Sequence, residues 1–460
     1  MSHGLVVIGG GAAGLAAART AVARGVRPLM VTEGPPGGEC TFTGCVPSKT
    51  LIEAAARGED FAAAMGRVRA TVASIAATED ESALAGEGIE VLRGRAAFLA
   101  PDRIDVGGRI LSAPRVVVAT GGGPRVPGIP GLAETAPLTT DDVFALTGPP
   151  ESLVVLGAGP VGCELAQAFA RLGVTVTVVE ERGRLLPGEA PEASRVIAER
   201  FVKEGIAVRT GASVTRVSRE AGRCRLEVDG GAPVAAERIL VAAGRTPGTH
   251  HMGLSEAGVR TDDRGFVRTD DRLATTSPSA VYAAGDVTGR IALTHAAHLM
   301  GRTAAANALR RGRGTRLDDS VIPRVAFTDP EVAQVGPTEH EAAARHPGAR
   351  VAYLPMSEVD RAVTAGRTEG FVEIIAGPRP LLGHAGGGRV LGATIVGERA
   401  GELIHEIALA MRTGMFAGRL AQTVHAYPTH AIAVQQAAAQ FVMEYAGRRA
   451  RPARPGEHPT

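Results

Sequence analysis

One local pattern occurs twice in this chain and restricts its fold more than any other feature. Each copy has a short apolar strand, a GxGxxG turn, a helix, a second strand and a terminal acid. The first copy comprises the strand Leu5–Ile8, the turn Gly9–Gly14, the helix Ala12–Arg24, the strand Leu29–Thr32 and Glu33. In this context the first glycine makes the turn, the second lets the backbone approach a pyrophosphate, and the third lets the helix pack on the strand. The pyrophosphate then lies at the helix N-terminus.

The second copy lies near the middle of the chain. It comprises the strand Leu153–Leu156, the turn Gly157–Gly162, the helix Glu164–Leu172, the strand Val174–Val179 and Glu180. Two accidental glycine turns are the alternative, but each turn here stands in the complete unit that a dinucleotide site requires. The repeat therefore predicts an α/β fold with two Rossmann-like dinucleotide-binding domains.

A pair of cysteines, Cys40 and Cys45, follows the first unit and precedes a helix-forming run, Lys49–Arg57. A straight helix, with its rise of ~1.5 Å per residue, would hold their α-carbons too far apart for a disulfide, so the chain must bend, which Gly44 permits. A bridge there would be easily reduced, which is typical of catalytic disulfides. Two free thiols that never meet are the alternative. Together with two dinucleotide sites, the pair predicts a flavin and a nicotinamide that pass electrons to a disulfide.

Lysine usage singles out one further residue beside the cysteines. The chain has 50 lysines and arginines together, yet only Lys49 and Lys203 are lysines. Lys203 falls in an amphipathic helix, Pro191–Glu204, where a solvated charge explains it. A compact ammonium cannot be exchanged for a planar guanidinium in a tight site. Lys49 is therefore predicted to be functional.

Composition excludes several classes of function. A length of 460 residues suggests around three domains, and a net charge of +2 with interspersed signs gives no basic stripe for nucleic acid. We expect no signal peptide, because the first strand already begins at Leu5. We also expect no membrane span, because no apolar run is long enough to cross a bilayer. Four cysteines fit a reducing cytoplasm, with Cys163 and Cys224 as ordinary buried residues.

From Leu5 to about Glu444 the chain resembles the FAD-dependent pyridine nucleotide-disulfide oxidoreductases, most closely a branch with mercuric-reductase-like and dihydrolipoyl-dehydrogenase-like members. The resemblance rests on the motifs above and on Val118–Gly121, Val241–Pro247 and Tyr282–Asp286. It implies FAD and NAD(P)H as cofactors. The implied cofactor-binding residues are Gly9, Gly11, Gly14, Glu33, Thr120, Gly121, Gly157, Gly159, Gly162, Glu180, Gly244, Gly285 and Asp286.

The resemblance also implies roles at the cysteine pair. Cys40 would face the substrate, and Cys45 would lie against the flavin as the charge-transfer thiolate. Lys49 would lie near the reactive nitrogen of the flavin, paired with Glu164, while Asp286 would hold the ribityl chain. A helix that opens with the run from residue 294 to 298 would direct its positive end at the flavin.

The C-terminal motif departs from the thiol-reducing members of the family. They carry His-Pro-Thr with a glutamate five residues after the histidine, whereas this chain has Tyr427 and Ile432 at those two positions. A phenol with a pKa of ~10 is a poor proton shuttle, which leaves His425 and His430 as the alternatives. Tyrosine here is similar to mercuric ion reductases. Because Cys224 is the last cysteine, the metal-delivering cysteine pair is absent, and mercury detoxification is not expected.

The resemblance and the turn signals predict the domain organisation. Residues 1–150 and 271–318 would form a discontinuous FAD-binding domain, 151–270 a NAD(P)-binding domain, 319–446 an α+β dimerisation domain and 447–460 a disordered tail. The dimerisation domain would complete the active site of the partner subunit in a homodimer.

The predicted function is a cytoplasmic FAD enzyme that passes hydride from NAD(P)H to a Cys40–Cys45 disulfide and on to a disulfide or a soft metal ion. Glu180, which suits a ribose with two hydroxyl groups, predicts NADH over NADPH, although Arg182 and Arg184 follow closely. A quinone reductase acting directly from reduced flavin and a low-turnover flavin redox sensor are the alternatives. The physiological acceptor and membership of a larger complex stay open.

Overall fold

The computed structural model describes residues 3–310 and 312–455. Apolar strands and helices alternate through most of this part of the chain. By its internal contacts the chain divides into two units. Unit 1 comprises the described residues of Met1–Val126, Leu138–Gly148 and Ala243–Asp319. Unit 2 comprises those of Pro127–Pro137, Pro149–Ala242 and Ser320–Thr460. The predicted domain bounds stay a prediction; the contact division differs from them by placing residues 243–270 in unit 1.

Helices and strands are numbered in chain order. The α-helices are α1 Ala12–Val22, α2 Gly38–Phe42, α3 Cys45–Ala56, α4 Phe61–Ala76, α5 Glu81–Gly86, α6 Pro160–Arg171, α7 Pro191–Lys203, α8 Thr294–Ala308, α9 Glu339–Arg345, α10 Asp360–Thr364, α11 Ala400–Arg412, α12 Ala417–Gln422 and α13 Ile432–Ala439. The strands are β1 Leu5–Ile8, β2 Pro28–Thr32, β3 Glu90–Arg93, β4 Ala96–Ala100, β5 Arg103–Val106, β6 Arg109–Ser112, β7 Arg115–Val118, β8 Gly122–Pro124, β9 Ser152–Leu156, β10 Thr175–Glu180, β11 Ala207–Thr210, β12 Val214–Glu220, β13 Arg223–Val228, β14 Val234–Ala236, β15 Arg238–Val241, β16 Arg245–Pro247, β17 Ala280–Ala283, β18 Arg324–Ala326, β19 Glu331–Val335, β20 Arg350–Pro355, β21 Phe371–Gly377, β22 Arg389–Gly397 and β23 Arg451–Pro452.

Unit 1 is built on a five-stranded parallel sheet in the order β17-β7-β1-β2-β3. Its central strand β1 is fully buried, as expected for a parallel strand covered on both faces. Helices α1 and α8 pack against each other and contact this sheet. The first predicted strand–helix–strand unit is confirmed, with the helix ending at Val22 rather than Arg24.

Unit 2 carries the second parallel sheet, in the order β11-β10-β9-β15. The turn after β9 leads into α6, which begins at Pro160 rather than at the predicted Glu164. Proline suits the first position of a helix, where its missing N–H would have no intrahelical acceptor. The second dinucleotide-type unit is therefore present, and the predicted fold class, α/β with two Rossmann-like units, is confirmed.

A six-stranded antiparallel sheet in the order β18-β19-β22-β21-β20-β23 completes unit 2. Helices α11, α12 and α13 contribute to its core, where Ile374, Ile404 and Val434 are fully buried. The alternating apolar pattern predicts strands at 322–327, 350–355, 370–376 and 390–396, which correspond to β18, β20, β21 and β22. It misses β23 and also β19, which pairs with β18 and β22. Its sequence includes the buried Gln334, which accepts a hydrogen bond from the Thr394 hydroxyl at 2.5 Å.

The C-terminal segment requires a correction, because the expected disordered tail 447–460 does not hold for its described part. Strand β23 pairs antiparallel with β20, and Ala450 lies in the core of unit 2. Arg451 forms a two-pronged ion pair with Glu339, whose carboxylate is buried. Residues 447–455 are rich in proline and arginine, but strand pairing and an ion pair hold them in a defined position. Residues 456–460 lie outside the described residues.

The helices of the described residues are short. The longest, α4, has 16 residues, fewer than the ~20 that a bilayer crossing needs. No helix within residues 3–310 and 312–455 combines the length and the apolar character of a membrane span.

Candidate active site

The two predicted redox cysteines lie on either side of a sharp corner in unit 1. Cys40 belongs to the short helix α2, and Cys45 is the first residue of α3, so that helix begins before the predicted Lys49. Between the helices, a Cβ atom on Gly44 would lie 2.9 Å from the carbonyl oxygen of Glu39. Only glycine therefore allows the two helices to approach this closely. The predicted bend is present.

The structure brings the two cysteine side chains together as free thiols. Both are half-buried, and the hydrogen bond between the Cys40 thiol and the Cys45 sulfur, together with burial, raises the pKa of Cys40. The hydroxyl of Thr294, the first residue of α8, lies 3.2 Å from Cys45 Sγ. Thr294 also hydrogen bonds to Cys40, which opposes the rise in the pKa of that thiol. A hydroxyl group and a helix N-terminus thus face the sulfur pair.

Lys49 lies one turn after Cys45 on the same face of α3. Its predicted partner Glu164 belongs to unit 2, where it is buried and accepts a hydrogen bond from the Phe327 N–H at 2.9 Å. The pairing of Lys49 with Glu164 stays a prediction.

The cysteine corner packs directly on the first GxGxxG turn. The Gly37 N–H donates to the Gly10 carbonyl oxygen at 2.8 Å, and a Cβ on Gly38 would lie 2.7 Å from the α-carbon of Gly11. Whatever ligand that turn holds therefore binds next to the helix that carries Cys40.

Both GxGxxG turns fit a dinucleotide pyrophosphate. A Cβ on Gly14 would lie 1.9 Å from the Gly9 carbonyl oxygen, and one on Gly162 would lie 2.0 Å from that of Gly157, so both third glycines permit tight packing. In contrast, a Cβ on the middle glycine of the second turn, Gly159, would meet no atom within 4 Å. In neither turn does a side chain of the described residues cap the helix that follows. In each turn the backbone N–H groups that begin the helix are therefore left for an anion, and the second turn has open space beside Gly159.

The terminal acids of the two units differ in their surroundings. Glu33 is exposed and forms a two-pronged ion pair with Arg95 at 3.0 and 3.2 Å. Glu180 is buried and accepts hydrogen bonds from the N–H groups of Ala158 and Arg182 at 2.7 and 2.8 Å. Because each carboxylate oxygen has two lone pairs, Glu180 keeps acceptor capacity for ribose hydroxyls.

The remaining predicted cofactor-binding residues lie in unit 1. Thr120 has a buried hydroxyl group with no hydrogen-bond partner among the described residues, which suits a polar ligand. Gly121 precedes β8, Gly244 accepts a hydrogen bond from the Arg125 N–H at 2.9 Å, and Gly285 precedes Asp286 in a 3-10 turn. The glycine turns and this orphaned hydroxyl fit FAD.

Asp286 pairs with Arg245, a residue with no predicted role. The Nε atom of Arg245 lies 2.9 Å from Asp286 Oδ2, and the same guanidinium binds both carboxylate oxygens of Glu39. Burial and the nearby Glu39 raise the pKa of Asp286, against the opposing effect of Arg245. The local signals are the position of Glu39 beside Cys40 and the place of Arg245 in the run Val241–Pro247, but 206 residues separate the two partners, so the sequence does not indicate that they pair.

The C-terminal motif lies in unit 2, and its aromatic residue is exposed. The Tyr427 hydroxyl donates to Asp360 Oδ2 at 2.8 Å, and this hydrogen bond raises the pKa of the phenol. At neutral pH the phenol is therefore even less ionised than an ordinary tyrosine, and it gives up its proton less readily.

The two neighbouring histidines differ in how their rings are used. Burial lowers the pKa of His425, but hydrogen bonds with Glu406 at 3.0 Å and with the Thr423 carbonyl at 2.9 Å raise it overall. Both of its ring nitrogens are thus engaged. Burial lowers the pKa of His430, which lies 3.5 Å from Glu398 and has no ring hydrogen bond among the described residues.

Comparison with known proteins gives a consistent result. Residues 3–301 match the family model described as pyridine nucleotide-disulphide oxidoreductase, and residues 322–438 match the dimerisation domain of that family. The chain is 33% identical over 456 residues to a mercuric reductase of Bacillus cereus, covering 95% of this chain and 71% of that protein. It is also 33% identical over 444 residues to a dihydrolipoyl dehydrogenase of Chlamydia pneumoniae, covering 92% and 94% of the two chains.

Solved structures extend this similarity. The HOCl-induced flavoprotein disulfide reductase RclA from Escherichia coli, which was also solved as a Cu(II) complex, matches with a TM-score of 0.87 and 27% identity over 95% of this chain and 99% of its own. LpdA from Mycobacterium tuberculosis matches with a TM-score of 0.86 and 29% identity over 95% and 100% of the two chains.

Proposed function

Because the chain belongs to the pyridine nucleotide-disulphide oxidoreductase family, whose members use FAD and NAD(P)H, we propose that it oxidises NADH and reduces a small-molecule acceptor through Cys40 and Cys45. Bound FAD supplies the two-electron chemistry between the nicotinamide and a disulfide. The observation that carries the proposal is the contact between the two thiols on a corner that packs on the first GxGxxG turn.

The residues of this corner have separate tasks in the proposed reaction. Cys45, at the N-terminus of α3 and within reach of the Thr294 hydroxyl, is the thiol whose negative charge is best stabilised. Cys40, in the short helix α2, is the thiol that exchanges with the acceptor. Lys49 adds a positive charge one turn from Cys45, with Glu164 as its proposed partner.

The acceptor is proposed from the C-terminal motif. Tyr427 offers no proton shuttle near neutral pH, so a disulfide whose release needs general acid catalysis is expected to react slowly. A soft metal ion that binds thiolates needs no such proton. We therefore propose a soft metal ion or a reactive small disulfide as the acceptor, and the Cu(II) complex of the similar reductase is consistent with the first choice.

Steady-state NADH oxidation tests this proposal with a panel of cupric and mercuric ions, lipoamide, glutathione disulfide and quinones. Cys40→Ser and Cys45→Ser are expected to lose activity by about 100-fold or more with every thiol-dependent acceptor. Cys224→Ser, which replaces a buried cysteine in β13, is expected to keep the wild-type activity. Full activity of both corner variants with all acceptors would instead indicate direct transfer to quinones or dyes. A wild-type protein that NADH reduces once without turnover would indicate a redox sensor.

The nucleotide preference is proposed from the second unit. Glu180 is held against the turn by two backbone N–H groups, and its charge repels a 2′-phosphate. Arg184, which follows it, donates to the carbonyl oxygens of Pro187 and Glu189 at 3.2 Å. We expect kcat/KM for NADH to exceed that for NADPH by about tenfold or more. Equal values would contradict the assignment.

The dimerisation domain supports a homodimer. We propose that the segment around Tyr427 completes the cysteine site of the partner subunit. We also propose a cytoplasmic location, because four cysteines, two of which are buried and apart from the redox corner, are too few for a scaffold of structural disulfides.

A further inference from the structure

The guanidinium of Arg245 lies at a junction of three parts of unit 1. It forms a two-pronged ion pair with Glu39, in which Nη1 lies 2.6 Å from Oε1. Its Nε atom lies 2.9 Å from Asp286 Oδ2, and Nη2 donates to the Gly122 carbonyl oxygen at 2.9 Å. Glu39 belongs to α2, Gly122 is the first residue of β8, and Asp286 belongs to the proposed FAD site. One side chain therefore connects the cysteine corner to that site.

Helix α2 depends on such contacts for its position. It has five residues, and helices shorter than about 12 residues are marginal by themselves. Apart from Arg245 and the backbone hydrogen bond to the first turn, it is tied by the Thr41 hydroxyl, which donates to Glu79 at 3.3 Å. Cys40 lies on this helix, whereas Cys45 lies on the twelve-residue α3. The distance between the two sulfurs therefore depends on the anchoring of α2.

The ion pair is placed to supply that anchoring. The side chains of Glu39 and Arg245 are 27% and 28% exposed, so both are largely withdrawn from water. Two parallel N–H···O bonds fix the direction of a carboxylate as well as its distance. Arg245 also offsets the charge of Asp286, so replacing it would disturb two carboxylates at once. Replacing Glu39 leaves the pair of Arg245 with Asp286 in place.

We propose that the Glu39–Arg245 ion pair is a positioning device that clamps α2 and thereby holds Cys40 within bonding reach of Cys45. The inference rests on the proposed function, because it concerns the same cysteine pair. Disulfide closure joins the two sulfurs, releases two protons and passes two electrons to an oxidant. With glutathione disulfide as oxidant, two molecules of glutathione form. A looser α2 lowers the effective concentration of one thiol at the other, and with it the equilibrium constant for closure.

Glu39→Gln in the FAD-loaded protein tests the clamp. The wild-type protein and the variant are equilibrated with glutathione buffers, and the corner thiols are counted by alkylation and mass spectrometry. The equilibrium constant for closure is expected to fall about three- to tenfold in the variant. That change corresponds to a reduction potential higher by about 14 to 30 mV. Glu39→Asp, which keeps the charge, is expected to recover part of the loss and serves as the second variant if Glu39→Gln does not fold.

Glu53→Gln is the matched control. It removes an Arg57 ion pair of 2.8 Å from the neighbouring helix α3, where both side chains are more than half exposed. We expect a wild-type equilibrium constant in this variant. A wild-type constant in Glu39→Gln as well would overturn the clamp and leave the proposed function intact. A wild-type protein that closes no disulfide in any buffer would overturn both, and closure without NADH turnover would overturn the proposed function alone.

Discussion

At the scale of single residues, one hydroxyl group faces both sulfur atoms of the cysteine pair. The Thr294 hydroxyl lies 3.2 Å from Cys45 Sγ and also hydrogen bonds to Cys40. Thr294 opens the 15-residue helix α8, whose N-terminal N–H groups add positive potential. The hydroxyl and the helix end therefore both stabilise negative charge on sulfur.

Replacing Thr294 by valine keeps its shape and removes this hydrogen bond. A hydrogen bond to a charged group contributes about 1.5 kcal/mol, so the thiolate of the reduced pair is expected to form about one pH unit higher. The pH dependence of the charge-transfer absorbance in the FAD-loaded, two-electron-reduced protein measures this shift.

Two variants control for that measurement. Thr294→Ser keeps a hydroxyl group and is expected to restore the wild-type profile. Thr303→Val removes a hydroxyl group of the same helix, which donates to the Leu299 carbonyl oxygen at 2.9 Å, and it is expected to leave the profile unchanged. An unshifted profile in Thr294→Val would show that the hydroxyl has no influence on the thiolate.

A second single-residue effect concerns Glu373, which is 2% exposed in unit 2. Burial, together with Glu339 and Glu192, raises its pKa to about 8, against the opposing charge of Arg451. Between the ordinary pKa of 4.5 and 8, the folded protein therefore holds a proton that the unfolded chain releases. Stability contributed by this group is full at low pH and falls as the pH rises through that window.

Glu373→Gln removes that pH dependence, because the amide is neutral throughout. We expect similar thermal midpoints for variant and wild type near pH 5, and a variant more stable by about 2–4 kcal/mol near pH 8.5. Thermal unfolding across the pH range measures the difference. The exposed Glu227, also in a strand of unit 2, is the matched position, and Glu227→Gln should follow the wild-type curve. Parallel curves for Glu373→Gln and wild type would contradict the assignment.

At the scale of elements, the corner between α2 and α3 decides whether the two thiols meet. Gly44→Ala would place a Cβ 2.9 Å from the Glu39 carbonyl oxygen, so the backbone must shift. We expect a loss of about 1–3 kcal/mol in the free energy of unfolding and a lower yield of disulfide. Denaturant unfolding and thiol counting measure both. Gly86→Ala, at a position in α5 with open space around it, should be neutral or slightly stabilising.

Elements with local signals were predictable from sequence, whereas elements that depend on distant partners were not. Both GxGxxG units were recognised because strand, turn and helix follow one another within about 30 residues. Strand β19 was missed because the buried Gln334 looks polar until Thr394, 60 residues away, pairs with it. The ordering of β23 likewise needs β20, which lies about 100 residues earlier.

The same distinction holds within the candidate site. Cys40, Cys45 and Asp286 were predicted because each lies in a contiguous motif that resembles a family pattern. Arg245 also lies in such a motif, but its role could not be predicted because its carboxylate partner comes from a different part of the chain. Residues that act by joining two motifs have no local signature.

At the scale of the whole molecule, the dimerisation domain leaves several apolar side chains exposed within its own subunit. Val424 is 92% exposed, and Tyr427, three residues later, is 69% exposed. In a homodimer such side chains are expected to be covered, because exposed apolar groups near one another favour association.

Val424→Glu tests this expectation. Because the side chain packs little within its subunit, the fold should persist while the dimer weakens by about tenfold or more in Kd. Sedimentation over a concentration series measures the dissociation. Val202→Glu, at an exposed position of α7 outside the matched dimerisation domain, should leave the dimer unchanged. An unchanged Kd of the dimer in Val424→Glu would show that the dimer contact does not include Val424.

The placement of the four cysteines also makes the protein its own redox indicator. Cys163 and Cys224 are 0% and 1% exposed, so a polar alkylating reagent does not reach them in the native fold. Cys40 and Cys45 are only half-buried, and neither can react with the reagent once they are bonded to each other. Alkylation of the native protein should therefore modify either two cysteines or none per subunit, because the other two cysteines do not react. A mass spectrum of protein quenched directly from cells would then report the redox poise of the compartment in which it worked.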